Sequence, residues 1–220
     1  MAYNSAKGTC YLIEDKNICY IPISKNGSSS VRESMKQQKL SFTVKNFLNN
    51  PEILKNNHVV VILREPIKRF CSGYIEVINR ASGDSPETMY KPFYWIDNDE
   101  HRRFDCFIDE VSREFFDTHI EPQIYYITDE NGNMVKIDQF IVLENLSDEI
   151  EKLLKIKINK INSSANHGTI VHGTTYYIQD YLNIIYTNQR HYKRLHNLYK
   201  DDINLYNKIL KNMDDNNDSN

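Results

Sequence analysis

The sequence predicts an α/β domain layered around a mostly parallel sheet, on three observations. His58-Val59-Val60-Val61-Ile62-Leu63 is continuous, β-branched and apolar on both faces, the pattern of a central parallel strand covered on both sides. Cys19-Tyr20-Ile21-Pro22-Ile23 and Gln139-Phe140-Ile141-Val142-Leu143 are further short apolar runs. A helical segment follows each of the three, and strands alternating with helices indicate that layered class.

The elements follow in order. Cys19–Ile23 reads as a buried strand that ends at a turn signal. Gly27-Ser28-Ser29-Ser30 opens a helix running to about Gln38, with serines as cap candidates. Asn49-Asn50-Pro51 breaks the chain before the strand His58–Leu63. Pro66 starts the next helix, since proline suits the first helical position, and the helix runs to about Arg80. Ala81 to Arg103, with Gly83, Pro86 and Pro92, reads as a long functional excursion. Phe104 to Phe115 is amphipathic, and Ser147 to Leu154 is the helix after the third strand. Asn159 to Thr174 is polar and irregular; Tyr176 to Leu210 reads as one or two helices. These elements form one domain over residues 1–212, followed by a frayed acidic tail at 213–220.

Bulk composition narrows the function. A formal net charge of -3 is no footprint for nucleic-acid binding, so no nucleic-acid partner is expected. No apolar run is long enough for a membrane span, and Met1 to Glu14 lacks the pattern of a signal peptide. The cysteines Cys10, Cys19, Cys71 and Cys106 have no metal-like spacing and read as free thiols. A soluble, cytoplasmic setting is the expectation that follows.

Ser24-Lys25-Asn26-Gly27-Ser28-Ser29-Ser30 joins a strand to a helix through a glycine. Backbone amides at such a junction point at an anion, and the helix dipole favours it. Lys25 adds a cation, Gly27 permits close approach, and the three serines add hydroxyl donors. The order differs from a Walker A loop, in which the lysine follows the second glycine. The same seven residues also read as a polar turn with a helix cap. A second motif shifts the balance. Arg64 closes the strand His58–Leu63 and is followed by Glu65-Pro66-Ile67-Lys68-Arg69-Phe70-Cys71-Ser72-Gly73-Tyr74. The C-terminal ends of parallel strands are where open α/β sheets bind ligands. Arginine offers a planar fork for phosphate oxygens, and Ser72 a hydroxyl. Arg69 is an extra cation on the same segment.

The two motifs, P-x-S-K-x-G-S-S-S and L-R-E-P-x-x-R-x-x-S-x-Y, resemble the 5′-phosphosulfate and 3′-phosphate elements of sulfotransferases that use PAPS, the sulfated nucleotide donor. The nearest type is the chondroitin and dermatan group of carbohydrate sulfotransferases. Three downstream segments are similar to that group in the same order. They are Phe116-Asp117-Thr118-His119-Ile120-Glu121-Pro122-Gln123, Asp138 to Leu146, and Leu198 to Tyr206 with its L-Y-x-x-D pattern. The group's tryptophan after the histidine is Ile120 here, and its cysteine pair is replaced by Tyr125-Tyr126-Ile127.

The resemblance implies a P-loop-NTPase-like three-layer domain that releases adenosine 3′,5′-bisphosphate and needs no metal. It implies that Lys25 acts on the leaving oxygen, with the backbone of Asn26, Gly27, Ser28, Ser29 and Ser30 on the 5′-phosphate. Arg64 and Ser72 would take the 3′-phosphate. The acceptor would be a hydroxyl-bearing molecule, a glycan above all. His119 is the favoured general base; Glu144, His58, Glu33 and Glu52 are alternatives, and His167 and His172 suit acceptor contact better. Aromatic residues from Tyr90 to Trp95 could stack on sugars or simply pack. Two competing readings are a P-loop nucleotide kinase and a homologue that binds PAPS or a glycan without turnover.

Overall fold

The computed structural model describes residues 7–81, 99–113, 117–158, 168–171 and 174–217. In chain order the strands are β1 (Thr9–Ile13), β2 (Ile18–Ile21), β3 (Thr43–Asn46), β4 (His58–Leu63), β5 (Gln139–Val142), β6 (Gly168–Val171) and β7 (Thr174–Tyr177). The helices are α1 (Ser28–Gln37), α2 (Glu52–Asn56), α3 (Pro66–Ala81), α4 (Glu100–Val111), α5 (Gln123–Tyr126), α6 (Leu146–Leu154), α7 (Ile178–Thr187), α8 (Gln189–Leu198) and α9 (Lys200–Asn217). They fall into two compact units. A sheet unit comprises Asn4–Glu65, Pro122–Ile161 and Asp201–Asn220; a helical unit comprises Met1–Tyr3, Pro66–Glu121 and Asn162–Lys200.

The sheet unit holds five strands in the order β3-β1-β2-β4-β5. β2, β4 and β5 run parallel, while β1 is antiparallel to both β2 and β3. The expected parallel sheet is therefore its β2-β4-β5 half, and the whole is mixed. The cause is local. Asn17 takes a left-handed conformation at φ 52° after the single turn Glu14–Lys16, and so short a connection can only return the chain antiparallel. Asparagine tolerates that conformation.

Side chains alternate along each strand, so the two faces bury different sets. Cys19, Ile21, Val59, Val61, Leu63 and Val142 share one face with residues of α2 and α9. Tyr20, Val60, Ile62 and Ile141 share the other, against Val31 and Met35 of α1 and Leu146, Ile150 and Leu154 of α6. The unit is thus an α/β/α sandwich. Each fully buried aliphatic side chain contributes about 1.5–3 kcal/mol by leaving water. α9 continues to Asn217 and packs Leu205, Ile209 and Met213 on the first face, so helix extends into the segment that composition reads as a tail.

The helical unit packs α3 and α4 around an aromatic core. Tyr74 meets Phe104, Phe107 and Tyr181 edge-on, with centroids 4.8, 4.8 and 4.9 Å away, the geometry that ring quadrupoles favour. The Tyr74 and Tyr181 hydroxyls both donate to Glu100 at 2.7 Å, and Arg103 lies 3.2 Å from the same buried carboxylate. Burial, followed by the Glu100 charge, pushes both phenols well up. α4 starts at Glu100, earlier than its apolar pattern suggests, because Asp99 accepts from the His101 amide as an N-cap. β6 and β7 pair antiparallel; β6 lies in the stretch expected to be irregular, and β7 takes Tyr176 and Tyr177 from the segment expected to be helical. Most of the long excursion, including Tyr90 to Trp95, lies outside the described residues, as do His167 and His172. Cys10, Cys19 and Cys71 are buried free thiols, and Cys106 is a partly buried one.

Candidate functional site

The loop Ser24–Ser30 lies at the C-terminal edge of parallel strands β2 and β4, in the sheet unit. Two residues set its shape. Lys25 adopts a left-handed backbone at φ 68°, unusual for a residue with a side chain and characteristic of strained functional loops. Gly27 takes φ 78°, and a Cβ there would sit 2.8 Å from Leu146 Cδ2 and 3.0 Å from Leu143 Cδ1. Glycine is required twice over, by conformation and by space. Helix α1 begins directly after it with no side-chain cap. Its first amides have no acceptor within the helix, so its positive end is presented at the loop.

Asn26 holds the loop down. Its buried side chain donates to the Ile62 carbonyl at 2.8 Å and to Gln123 Oε1 at 2.6 Å, and its amide donates to Ile23 at 3.2 Å. Gln123 is the hub. Its Oε1 also accepts from the Arg64 amide at 3.0 Å, while its Nε2 donates to the Arg64 carbonyl at 2.8 Å. Arg64, almost fully buried, donates from Nη1 to the Lys25 carbonyl at 3.0 Å. Gln123 is itself fixed by Asp202, whose carboxylate accepts from the amides of Gln123 and Ile124 at 2.6 and 2.8 Å. Lys25, Asn26, Gly27, the three serines and Arg64 thus stand in one unit, with Asn26 and Arg64 bonded into the loop.

Tyr206 lies among charges at the same strand ends. Burial raises its phenol, the neighbouring Glu144 and Glu65 add to this, and Arg64 opposes it. Its hydroxyl donates to Glu144 at 3.4 Å.

Ser72 and His119 belong to the helical unit. Ser72 is buried on α3. His119 sits in a tight turn, Asp117–Glu121, closed by the amides of Ile120 and Glu121 donating to the Asp117 carbonyl at 3.1 and 3.2 Å. Arg69, read as an extra cation on the same segment, is buried and donates to the carbonyls of Glu121 and Thr118 at 2.5 and 3.2 Å. The Tyr199 hydroxyl donates to the Ile120 carbonyl. Gly73 lets α3 approach, for a Cβ there would lie 2.4 Å from the His119 carbonyl oxygen. His119 Nδ1 is 2.5 Å from Asp117 Oδ1, and its Nε2 is 3.3 Å from Arg80 Nη2.

The other base candidates are placed differently. His58 opens β4, at the opposite end of the strand from Arg64, and contacts Gln139 at 3.2 Å. Glu33 pairs on the surface with Lys36 and Arg32, and a hydrogen bond from Lys36 draws its carboxyl down. Glu52 pairs with Lys55 at 2.6 Å. Among the described residues, no three or more His, Cys, Asp or Glu side chains group as a metal site, and no helix is long and apolar enough to cross a membrane.

Sequence reasoning by residue type missed Gln123, Asp117, Tyr199 and Asp202, yet all four stand inside the downstream segments quoted above. Their signal was motif order, since nothing in hydrophobic periodicity marks a buried glutamine. The model of the group described as "Sulfotransferase family" matches residues 6–208. No curated protein and no solved structure matches the chain.

Proposed function

The chain belongs to the sulfotransferase family, and from that premise we propose that it moves a sulfuryl group from PAPS to an acceptor hydroxyl. The uncapped start of α1 behind the left-handed residues Lys25 and Gly27 carries this reading. Amides of Gly27, Ser28, Ser29 and Ser30, with the serine hydroxyls, take the 5′-phosphate. Asn26 serves them from inside as the anchor of the loop. The Lys25 ammonium meets the bridging oxygen on which negative charge grows as the S–O bond to phosphate breaks. Arg64 and Ser72 take the 3′-phosphate, as the second motif implies.

The acceptor oxygen forms the new bond to sulfur in line with the leaving phosphate, and His119 Nε2 receives its proton. Adenosine 3′,5′-bisphosphate leaves. The β2-β4-β5 half with helices on both faces supports the P-loop-like kinship. The glycan acceptor rests on the likeness to the chondroitin and dermatan group alone.

Calorimetric titration with adenosine 3′,5′-bisphosphate, AMP and ATP tests the donor assignment. The bisphosphate should bind at least tenfold more tightly than AMP; equal binding of AMP would remove the 3′-phosphate role. Transfer from labelled PAPS to a panel of glycans, lipids, peptides and small alcohols identifies the acceptor.

A further inference from the structure

We infer that Asp117 is the positioning residue of His119, locking the imidazole in the tautomer whose Nε2 carries the free lone pair. This rests on the reading of His119 as the base and says how the turn makes it one. The assignment follows from the partners. An ionised carboxylate only accepts, so the ring nitrogen 2.5 Å from Asp117 Oδ1 is the one that bears hydrogen. A guanidinium only donates, so Nε2, facing Arg80 Nη2 at 3.3 Å, must offer its lone pair. Two independent neighbours thus select the same state of the ring.

The carboxylate is itself held in register. Its side chain is 4% exposed, and Oδ1 also accepts from the His119 amide at 2.6 Å. One oxygen therefore fixes both the backbone and the ring of the same residue. Arg69 and Tyr199 fix three carbonyls of the turn, those of Thr118, Ile120 and Glu121, so the backbone that carries the ring cannot move without breaking buried bonds. Arg80 is half exposed at its end and also paired to Glu76 at 2.9 Å. It occupies the hydrogen-bonding place on Nε2 that an acceptor hydroxyl would take, and can swing aside to yield it.

The test combines ¹⁵N NMR of histidine-labelled protein with kinetics on wild type, Asp117→Asn and His119→Ala. In wild type the His119 ¹⁵N shifts should report a protonated Nδ1 and an unprotonated Nε2. Asp117→Asn should mix or invert the tautomers. It should also lower kcat by about 10²–10⁴-fold, the range for a base that loses its orienting carboxylate, with affinity for adenosine 3′,5′-bisphosphate held within twofold. An unchanged tautomer with kcat within threefold of wild type overturns the inference. Full activity in His119→Ala would instead overturn the base reading, while the NMR result would still judge the hold of Asp117 on the ring. If Asp117→Asn does not fold by circular dichroism, Asp117→Glu takes its place. It keeps the carboxylate but shifts it by one methylene, and should retain the tautomer and recover most of kcat.

Discussion

The loop Ser24–Ser30 and the turn Asp117–Glu121 are both held by buried polar side chains, but in opposite senses. In the loop, the groups proposed to face an anion are main-chain amides, and the side chains of Asn26 and Gln123 are bonded into the protein interior. In the turn, main-chain carbonyls are tied down by Arg69 and Tyr199, and one side chain, His119, is held between Asp117 and Arg80. A substitution in the loop should act through backbone geometry and show in donor affinity. A substitution in the turn should act through side-chain chemistry and show in turnover. Lys25 breaks the pattern, because the proposal gives its side chain a chemical role on a backbone-built loop.

Lys25→Ala should therefore behave like a turn variant. Steady-state kinetics should show kcat lowered by about 10²–10³-fold, the scale for losing one charge-stabilising group, with donor affinity much less affected. Unchanged turnover would remove its role and leave the contrast between the regions complete. Gln123→Ala should act on the loop alone. Leaving the Asn26 amide, the Arg64 amide and the Arg64 carbonyl without their partner costs about 1–3 kcal/mol, read as weaker bisphosphate binding and a lower midpoint in urea. A loss confined to kcat would contradict the division drawn above.

Gly27→Ala adds a Cβ against Leu146 at a positive φ and should cost about 1–2 kcal/mol, with donor affinity falling alongside stability. Asp138→Asn is the control, at a residue that belongs to neither region. Asp138 accepts from the Val59 amide at 2.8 Å, and that bond, helped by Lys136, holds its carboxyl low. A depressed carboxyl adds stability above its unfolded value of about 4 and loses it as pH falls through the folded one. Wild type should thus be slightly more stable than the variant at pH 7, and urea melts should converge at pH 2–3. A gap that persists at pH 2 would remove the charge from the explanation.

The parts of the fold visible in sequence are those with a single cause. β4 is apolar on both faces because helices cover both, and its bounds follow from that run alone. β3 carries only a weak signal, since Thr43, Val44 and Lys45 are exposed along the sheet edge. β1 depends on a left-handed Asn17 that looks like any loop asparagine. The site divides in the same way. Lys25 and Gly27 suggest an anion loop by type, and the same residues read equally as a polar turn before a helix. Arg69 reads as one more cation beside Arg64, and only the fold shows its guanidinium bonded to two carbonyls. Gln123 makes its bonds 59 and 97 residues away in sequence, beyond the reach of any local pattern.

Asp202 carries a consequence for the order in which the molecule comes into being. It stands in the last helix, yet it secures Gln123, which in turn secures residues 26 and 64. During synthesis the loop leaves the ribosome some 170 residues before the clamp that secures it. A nascent chain arrested at Tyr199 should have its sheet strands and still fail to retain adenosine 3′,5′-bisphosphate, while one released after α9 should hold it. Nucleotide capture would then report that α9 has been translated.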